Sequence, residues 1–151
     1  MRPAGSKVVA VEDLPGVAAH ARESGRRVAL AKGVFDVLHP GIVRYLDRAR
    51  SAADLLAVAV LGALVERGRP LVAPEARAHL VAAIRSVDHV VVVPGDDVSA
   101  LIRSLRPDVL CTTPDALPTA AEAEALRGCE ARWVATDWRQ EDERLASRGR
   151  A

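Results

Sequence analysis

The residues with the clearest chemical potential lie in one short stretch, Gly33-Val-Phe-Asp-Val-Leu-His-Pro-Gly41, which directly follows an apolar run. A glycine where a strand ends, here Gly33, permits close backbone approach. Pro40 and Gly41 open a helix, and the N–H groups at a helix N-terminus can bind an anion. An imidazole at this point, His39, can donate a hydrogen bond to a phosphate oxygen. The stretch therefore indicates a phosphate or nucleotide site, although a helix capped by His39 and two turn glycines would fit the same residues.

Short apolar runs alternate along the chain with longer stretches of helical spacing. Strands that are covered on both faces are continuous apolar runs, and the sequence predicts five: 27–31, 55–61, 89–93, 109–112 and 132–135. Apolar residues at helical spacing predict helices over 11–24, 40–53, 74–86 and 118–127, and a further helix that follows Asp97 and runs to about Leu105. We expect acidic residues to cap two of them: Glu12 and Asp13 the first, and Asp96 and Asp97 the fourth.

This alternation predicts an α/β fold with a Rossmann-like, doubly wound, parallel five-stranded sheet in a single domain. We place that domain at residues 1–136, followed by a charged tail or exposed helix at 137–151. Such sheets bind ligands at the carboxyl ends of their strands. The Gly33–Gly41 turn lies at that edge.

Composition excludes several classes of partner. The net charge is +1 and aromatic residues make up 3% of the chain, so no broad basic face for nucleic acid is expected and few aromatic side chains are present on which bases could stack. No apolar run approaches the ~20 residues of a membrane helix, and no signal-peptide pattern is visible. Cys111 and Cys129 fit free thiols in a reducing cytoplasm. The four histidines lack the spacing of a zinc site, so we expect a cytoplasmic protein without a dedicated metal site.

The stretch from Gly33 to Leu46 closely resembles the G-x-F-D-x-x-H-x-G-H signature of the cytidylyltransferase-like nucleotidyltransferases. It looks most like the adenylyltransferase domain of ADP-heptose synthase, or glycerol-3-phosphate cytidylyltransferase. The resemblance extends over roughly residues 28–110. It continues in four later segments: Arg69-Pro70 with Pro74–Arg77, Ser86–Val90, Gly95–Asp97 and Leu105–Leu110.

The resemblance implies transfer of a nucleoside monophosphate from ATP or CTP to a sugar phosphate or a small alcohol phosphate. A phosphate oxygen of the acceptor attacks the α-phosphate, and pyrophosphate leaves without a covalent enzyme intermediate. Catalysis of this kind depends mostly on positioning and charge stabilisation. Mg²⁺ would bridge the triphosphate oxygens. Members of the family often form homodimers, so a homodimer is also implied.

The resemblance also implies roles for individual residues. His39 would donate to the α- or β-phosphate, Asp36 would orient the loop or hold the substrate, and Gly41 would let the nucleotide approach the helix. Three residues would act in catalysis: His39, Lys32 and Arg77. Eight would bind the nucleotide: Gly33, Val34, Phe35, Asp36, His39, Gly41, Arg69 and Thr136.

The sequence departs from the family pattern at positions that would contact the nucleotide or the substrate. Ile42 replaces the second histidine of H-x-G-H, and loss of one preorganised donor typically lowers turnover ~10²–10³-fold. Leu61–Ala63 stands where heptose-type members have N-S-D, and Cys111–Asp115 stands where they have K-G-G-D. The late S-T-T helix start is not visible, and Thr136 and Arg139 are the nearest candidates for it. Lys32 is a candidate to replace part of the lost positive charge.

Two functional hypotheses follow from this pattern. The first is a nucleotidyltransferase with altered residues. The second is a catalytically silent relative that binds a nucleotide, a phosphorylated metabolite or a protein partner. Pyrophosphate release separates the two.

Overall fold

Five apolar runs form the strands of one sheet in the computed structural model, which describes residues 2–62 and 72–136. The strands are β1 (Val28–Gly33), β2 (Leu55–Leu61), β3 (His89–Val93), β4 (Val109–Thr112) and β5 (Arg132–Ala135). The helices are α1 (Leu14–Glu23), α2 (Pro40–Ser51), α3 (Pro74–Ala82), α4 (Ser99–Leu105) and α5 (Ala120–Cys129). A short 3₁₀ turn, Ala4–Lys7, precedes α1.

All strand pairs are parallel, and the strand order is β3-β2-β1-β4-β5. β1 is the central strand: Val28–Gly33 pairs with Leu55–Val60 of β2, and Ala29–Ala31 pairs with Val109–Cys111 of β4. The chain reverses its direction of winding beside β1, which creates the switch point where such sheets bind ligands.

Helices cover both faces of the sheet because β1 to β4 bury side chains on both sides, whereas the edge strand β5 is largely exposed. On one face, α1, α4 and α5 supply Leu14, Ile102 and Leu126 to a core with Leu30 and Leu110. The other face is covered by α2 and α3. Their buried residues Tyr45, Leu46, Ala78 and Val81 pack with the strand residues that point to that side, such as Val58. The predicted doubly wound, Rossmann-like sheet is confirmed.

The helix boundaries differ from the sequence prediction at several ends. α1 begins at Leu14 because residues 11–13 form a turn, and Asp13 occupies its N-cap without a side-chain hydrogen bond. The carboxylate of Asp97 accepts hydrogen bonds from the N–H and hydroxyl of Ser99 at the start of α4. α5 begins two residues later than predicted, because Thr119 and Glu122 form a reciprocal capping box there.

Several predicted positions lie outside the described residues. They are Ala63, Arg69, Pro70 and the whole predicted tail, 137–151, which includes Arg139.

Candidate active site

The turn that follows β1 folds around the ring of Phe35. The ring packs against Gly33, where an added Cβ would lie 2.8 Å from the ring atom Cζ. Phe35 is 5% exposed and has a left-handed backbone, with φ of 56°, which is uncommon for a bulky residue. The close approach that the sequence predicts at Gly33 is therefore made by Phe35.

His39 caps the first turn of α2. Its Nδ1 accepts a hydrogen bond from the N–H of Gly41 at 3.1 Å, and its carbonyl oxygen accepts one from the N–H of Ile42 at 3.0 Å. Because Nδ1 is an acceptor, the neutral ring carries its proton on Nε2, which makes that nitrogen a donor. The two interpretations of His39, as a helix cap and as a donor to phosphate, are therefore compatible in one tautomer.

Asp36 links this turn to the segment that leads into α3. Its Oδ1 accepts a hydrogen bond from the N–H of Val72 at 3.1 Å. A carboxylate in that contact orients the loop, which is one of the two roles implied for it.

Arg77 is fully buried and holds together the ends of two strands. Its Nη1 donates to the carbonyl oxygens of Val34 at 2.5 Å and Leu61 at 2.7 Å. Its Nε donates to Val72 at 2.8 Å, and its Nη2 donates to Gly62 at 3.2 Å. The side chain is 0% exposed, so its guanidinium is held by backbone carbonyl oxygens inside the protein.

Lys32 is also buried, on the opposite face of the sheet. Its Nζ lies 2.5 Å from Oε2 of Glu122, and the two side chains are 6% and 0% exposed. The ammonium group that was expected to replace lost positive charge is thus paired with a carboxylate.

Two further predicted positions have backbone or packing roles. The N–H of Thr136 donates to the carbonyl oxygen of Thr112 at 2.8 Å, which extends the β4–β5 ladder. Ile42 is half-buried and packs against the core on the α2–α3 face. The position that holds a histidine donor in the family signature makes an apolar contact here.

Sequence reasoning did not identify two residues at this edge of the sheet. The hydroxyl of Tyr45 lies 2.8 Å from the carbonyl oxygen of Cys111 and 3.1 Å from that of Lys32. Burial raises the pKa of Tyr45 far above its usual range, so the hydroxyl remains a donor. Glu122 was detectable, because Thr119 and Glu122 have the S/T-x-x-E spacing of a capping box.

The described residues offer no protein cage for a metal ion. Within residues 2–62 and 72–136, no group of three or more His, Cys, Asp or Glu side chains is placed to hold one. Mg²⁺ often binds through substrate phosphates with few protein ligands.

Both cysteines of the chain are unpaired in a disulfide sense. Cys111 and Cys129 are free thiols, and burial raises the pKa of Cys111 to about 11. Cys111 is therefore a neutral thiol near pH 7.

In the part of the chain that the structure describes, no helix has the length and apolar character needed to cross a membrane.

The cytidylyltransferase-like family model matches residues 30–141. The chain belongs to this family. The resemblance of the Gly33–Leu46 stretch to its signature is thereby confirmed. Because the match covers most of the chain, cytidylyltransferase-like membership applies to the whole sheet and not to one motif alone.

The curated relatives of this cytidylyltransferase-like chain include several proteins named bifunctional protein HldE. The one from Geobacter sulfurreducens is 42% identical over 110 residues, which are 70% of this chain and 22% of that protein. The one from Syntrophotalea carbinolica is 39% identical over 126 residues, 80% of this chain and 26% of that protein. The chain thus spans about a quarter of the length of these relatives.

Solved structures share the fold at low sequence identity. A lipopolysaccharide core biosynthesis protein from Thermoplasma volcanium has a TM-score of 0.64 at 23% identity, covering 75% of this chain and 98% of that one. A pantoate-β-alanine ligase from Francisella tularensis has a TM-score of 0.57 at 9% identity, covering 86% and 66%. Both likenesses support the Rossmann-like α/β architecture.

Proposed function

We propose that this chain is a nucleotidyltransferase that moves a nucleoside monophosphate from ATP or CTP to a sugar phosphate or a small alcohol phosphate. An oxygen of the acceptor phosphate forms a bond to the α-phosphorus. The bond between the α-phosphorus and the bridging oxygen breaks, and pyrophosphate leaves with the electron pair. Family membership and the HldE relatives support this class of reaction.

The observation that carries the proposal is the geometry of His39. The ring is held at the start of α2 by the hydrogen bond from Gly41, with Nε2 as the protonated nitrogen. A donor beside a helix N-terminus is suited to a phosphate that gains charge in the transition state. The α2 N–H of Gly41 is bonded to His39, so a phosphate that used this N–H would have to displace the imidazole.

The negative charge of the triphosphate would have to be neutralised largely by groups other than Lys32. Lys32 is paired with Glu122, and Arg77 is enclosed by carbonyl oxygens. Mg²⁺ brought by the triphosphate would supply positive charge to its oxygens. The chain's own residues would orient the phosphates through His39 and the first turn of α2.

The direct test is a pyrophosphate-release assay with ATP and CTP against a panel of sugar phosphates and small alcohol phosphates. We expect one pair to turn over, and His39→Ala to lower kcat about 10²–10³-fold. His20→Ala is the matched control, because His20 is highly exposed on α1. An unchanged rate in His39→Ala would contradict the proposed role of the imidazole.

Ile42→His restores the missing donor of the family signature. We expect kcat to rise in this variant, because a second donor can stabilise the developing charge. The thermal midpoint should be measured alongside, since Ile42 packs against the core. A folded Ile42→His protein with no gain in rate would show that position 42 does not limit turnover.

A catalytically silent binding protein is the second candidate function. It is favoured by the apolar packing of Ile42 and by the internal engagement of Lys32 and Arg77. Calorimetric binding of a nucleotide or phosphorylated metabolite without pyrophosphate release would support it. The absence of any binding would count against both nucleotide functions.

The homodimer and the cytoplasmic location stay predictions from the family and the sequence. Light scattering should give twice the 16.0 kDa of one chain if the dimer forms. Fractionation of cells that express the full protein tests the location.

A further inference from the structure

The Lys32–Glu122 pair joins three elements at the carboxyl edge of the sheet. Oε2 of Glu122 lies 2.5 Å from Nζ of Lys32 and accepts a hydrogen bond from the N–H of Thr119 at 3.0 Å. Oε1 accepts a hydrogen bond from the N–H of Val98 at 3.0 Å. Val98 and Thr119 are the N-cap residues of α4 and α5. One buried carboxylate therefore connects the end of β1 to the beginnings of two helices.

The main chain of Lys32 is held from the other face of the sheet. Its carbonyl oxygen lies 3.1 Å from the hydroxyl of Tyr45, which projects from α2. Lys32 immediately precedes Gly33, the first residue of the turn that carries His39. The point from which this turn departs is thus fixed by α2 on one side and by α4 and α5 on the other.

The pair adds little net charge to the site, because an ammonium and a carboxylate cancel. A buried ion pair is also weak evidence for stability, since apolar residues of similar volume often stabilise as well. Its distinctive property is the geometry that it imposes on Lys32, Val98 and Thr119.

We infer that Lys32 and Glu122 are positioning residues that fix the start of the Gly33–Gly41 turn against α4 and α5. In this role Lys32 acts through the turn and does not contact phosphate. The inference rests on the proposed function, for which the turn is the nucleotide site.

The main test is the double variant Lys32→Met/Glu122→Gln, studied by hydrogen exchange. The double variant avoids an unpaired buried charge, and the introduced glutamine retains an oxygen that can accept from a helix N–H. We expect the backbone amides between residues 34 and 42, where Pro40 has no N–H, to exchange about tenfold faster while the thermal midpoint changes little. Exchange at the wild-type rate in a folded double variant would overturn the inference.

The matched control is Arg50→Met/Asp88→Asn. The Nε of Arg50 lies 3.1 Å from Oδ2 of Asp88, and this half-exposed pair lies at the amino edge of the sheet. The introduced asparagine can still accept the hydrogen bond that Asp88 receives from the N–H of Leu56. We expect amides 34–42 to keep their wild-type exchange in this control.

The single variant Glu122→Asp is the alternative test if the double variant does not fold. It keeps both charges but withdraws the carboxylate by one methylene group. Positioning predicts faster exchange of amides 34–42, in the same direction as in the double variant. Unchanged exchange in folded Glu122→Asp would contradict positioning.

Nucleotide affinity separates positioning from direct phosphate contact. Calorimetry with ATP should show about tenfold weaker binding by Lys32→Met/Glu122→Gln, with the same salt dependence as the wild type, because no charge contact is lost. Glu122→Gln alone leaves the ammonium of Lys32 without its carboxylate. Tighter ATP binding by that variant would indicate direct contact and overturn the inference.

The two proposals fail in different ways. If the wild-type chain binds neither ATP nor CTP, the proposed function fails. The hydrogen-exchange comparison uses no nucleotide, so it still decides whether the Lys32–Glu122 pair positions the turn.

Discussion

Arg77 and Lys32 are two basic side chains buried at the same edge of the sheet, on opposite faces, and they are held in different ways. The guanidinium of Arg77 donates to four backbone carbonyl oxygens from three segments of the chain. The ammonium of Lys32 meets one carboxylate, that of Glu122. The sequence predicts that both residues act in catalysis, but their partners differ in kind.

The different partners of Arg77 and Lys32 affect the net charge at each site and the tolerance of each site to substitution. Carbonyl dipoles satisfy the N–H groups of Arg77 without cancelling its charge, so the positive charge persists beneath the turn. The carboxylate of Glu122 cancels the charge of Lys32. The planar fork of a guanidinium also fits several diverging acceptors, which an ammonium cannot reproduce. We therefore expect any replacement of Arg77 to lower the unfolding free energy, whereas Lys32 and Glu122 can be replaced together at little loss.

The largest expected effect is that of Arg77→Met. It leaves four carbonyl oxygens without this donor, one in a buried contact and three in partly buried ones. At about 1 kcal/mol or more for each, we expect a loss of more than about 4 kcal/mol in unfolding free energy. Arg77→Lys should recover only part of it. Urea denaturation measures both, with Arg85→Met as the exposed control within about 0.5 kcal/mol of wild type. A stable Arg77→Met protein would break the contrast with Lys32.

The next effect comes from breaking the ion pair on one side only. Lys32→Met leaves the carboxylate of Glu122 buried and unpaired, so we expect a loss of about 3–5 kcal/mol. Replacing both partners, as in Lys32→Met/Glu122→Gln, should recover most of it. A double-mutant cycle in urea measures the coupling between the two positions. Additive losses would show that the pair is not a unit.

A smaller effect is expected in the turn that both cations support. Gly33→Ala places a methyl group 2.8 Å from the ring of Phe35, and such overpacking typically costs about 1–3 kcal/mol. Gly16→Ala is the matched control, since a Cβ at that helical position meets nothing within 4 Å. It should stabilise α1 slightly, because alanine is the better helix former. Thermal midpoints that shift in the same direction for both variants would contradict this account.

The smallest effect concerns His89, a buried ionisable group that is held differently from both cations. Its side chain is 9% exposed, and its Nδ1 has no hydrogen-bond partner among the described residues. Burial lowers the pKa of His89 below its usual 6.5, with a further contribution from the charge of Arg2. The native histidine therefore stays neutral at a pH where the unfolded one binds a proton.

The sign of the resulting pH dependence follows from that difference. Unfolding free energy should be level above about pH 7 and decline as the pH falls through 6.5 toward the lowered native pKa. Denaturation curves between pH 7.5 and 5.5 measure the decline. It should be reduced in His89→Phe and retained in His20→Ala, whose histidine is exposed. An equal decline in both variants would assign the effect to another group.

The strands were predictable because buried parallel strands leave an unbroken apolar signal in the sequence. The prediction matched both ends of β2, β3, β4 and β5, and the two ends of β1 differed by one and two residues. The position of the His39 turn followed from the same pattern. The partners of the two cations were not predictable, because Glu122 lies 90 residues from Lys32. The acceptors of Arg77 are backbone atoms, which no residue type reveals.

The central place of β1 in the strand order has a consequence for synthesis of the chain. β1 ends at Gly33, but one of its two neighbours, β4, begins only at Val109. A nascent chain therefore carries an uncovered apolar edge on its central strand until some eighty further residues have left the ribosome. Such late pairing is slow and exposes the chain to association. Fragments that stop before β4 should aggregate, whereas in fragments that include β4 this strand can pair with β1 and cover its free edge.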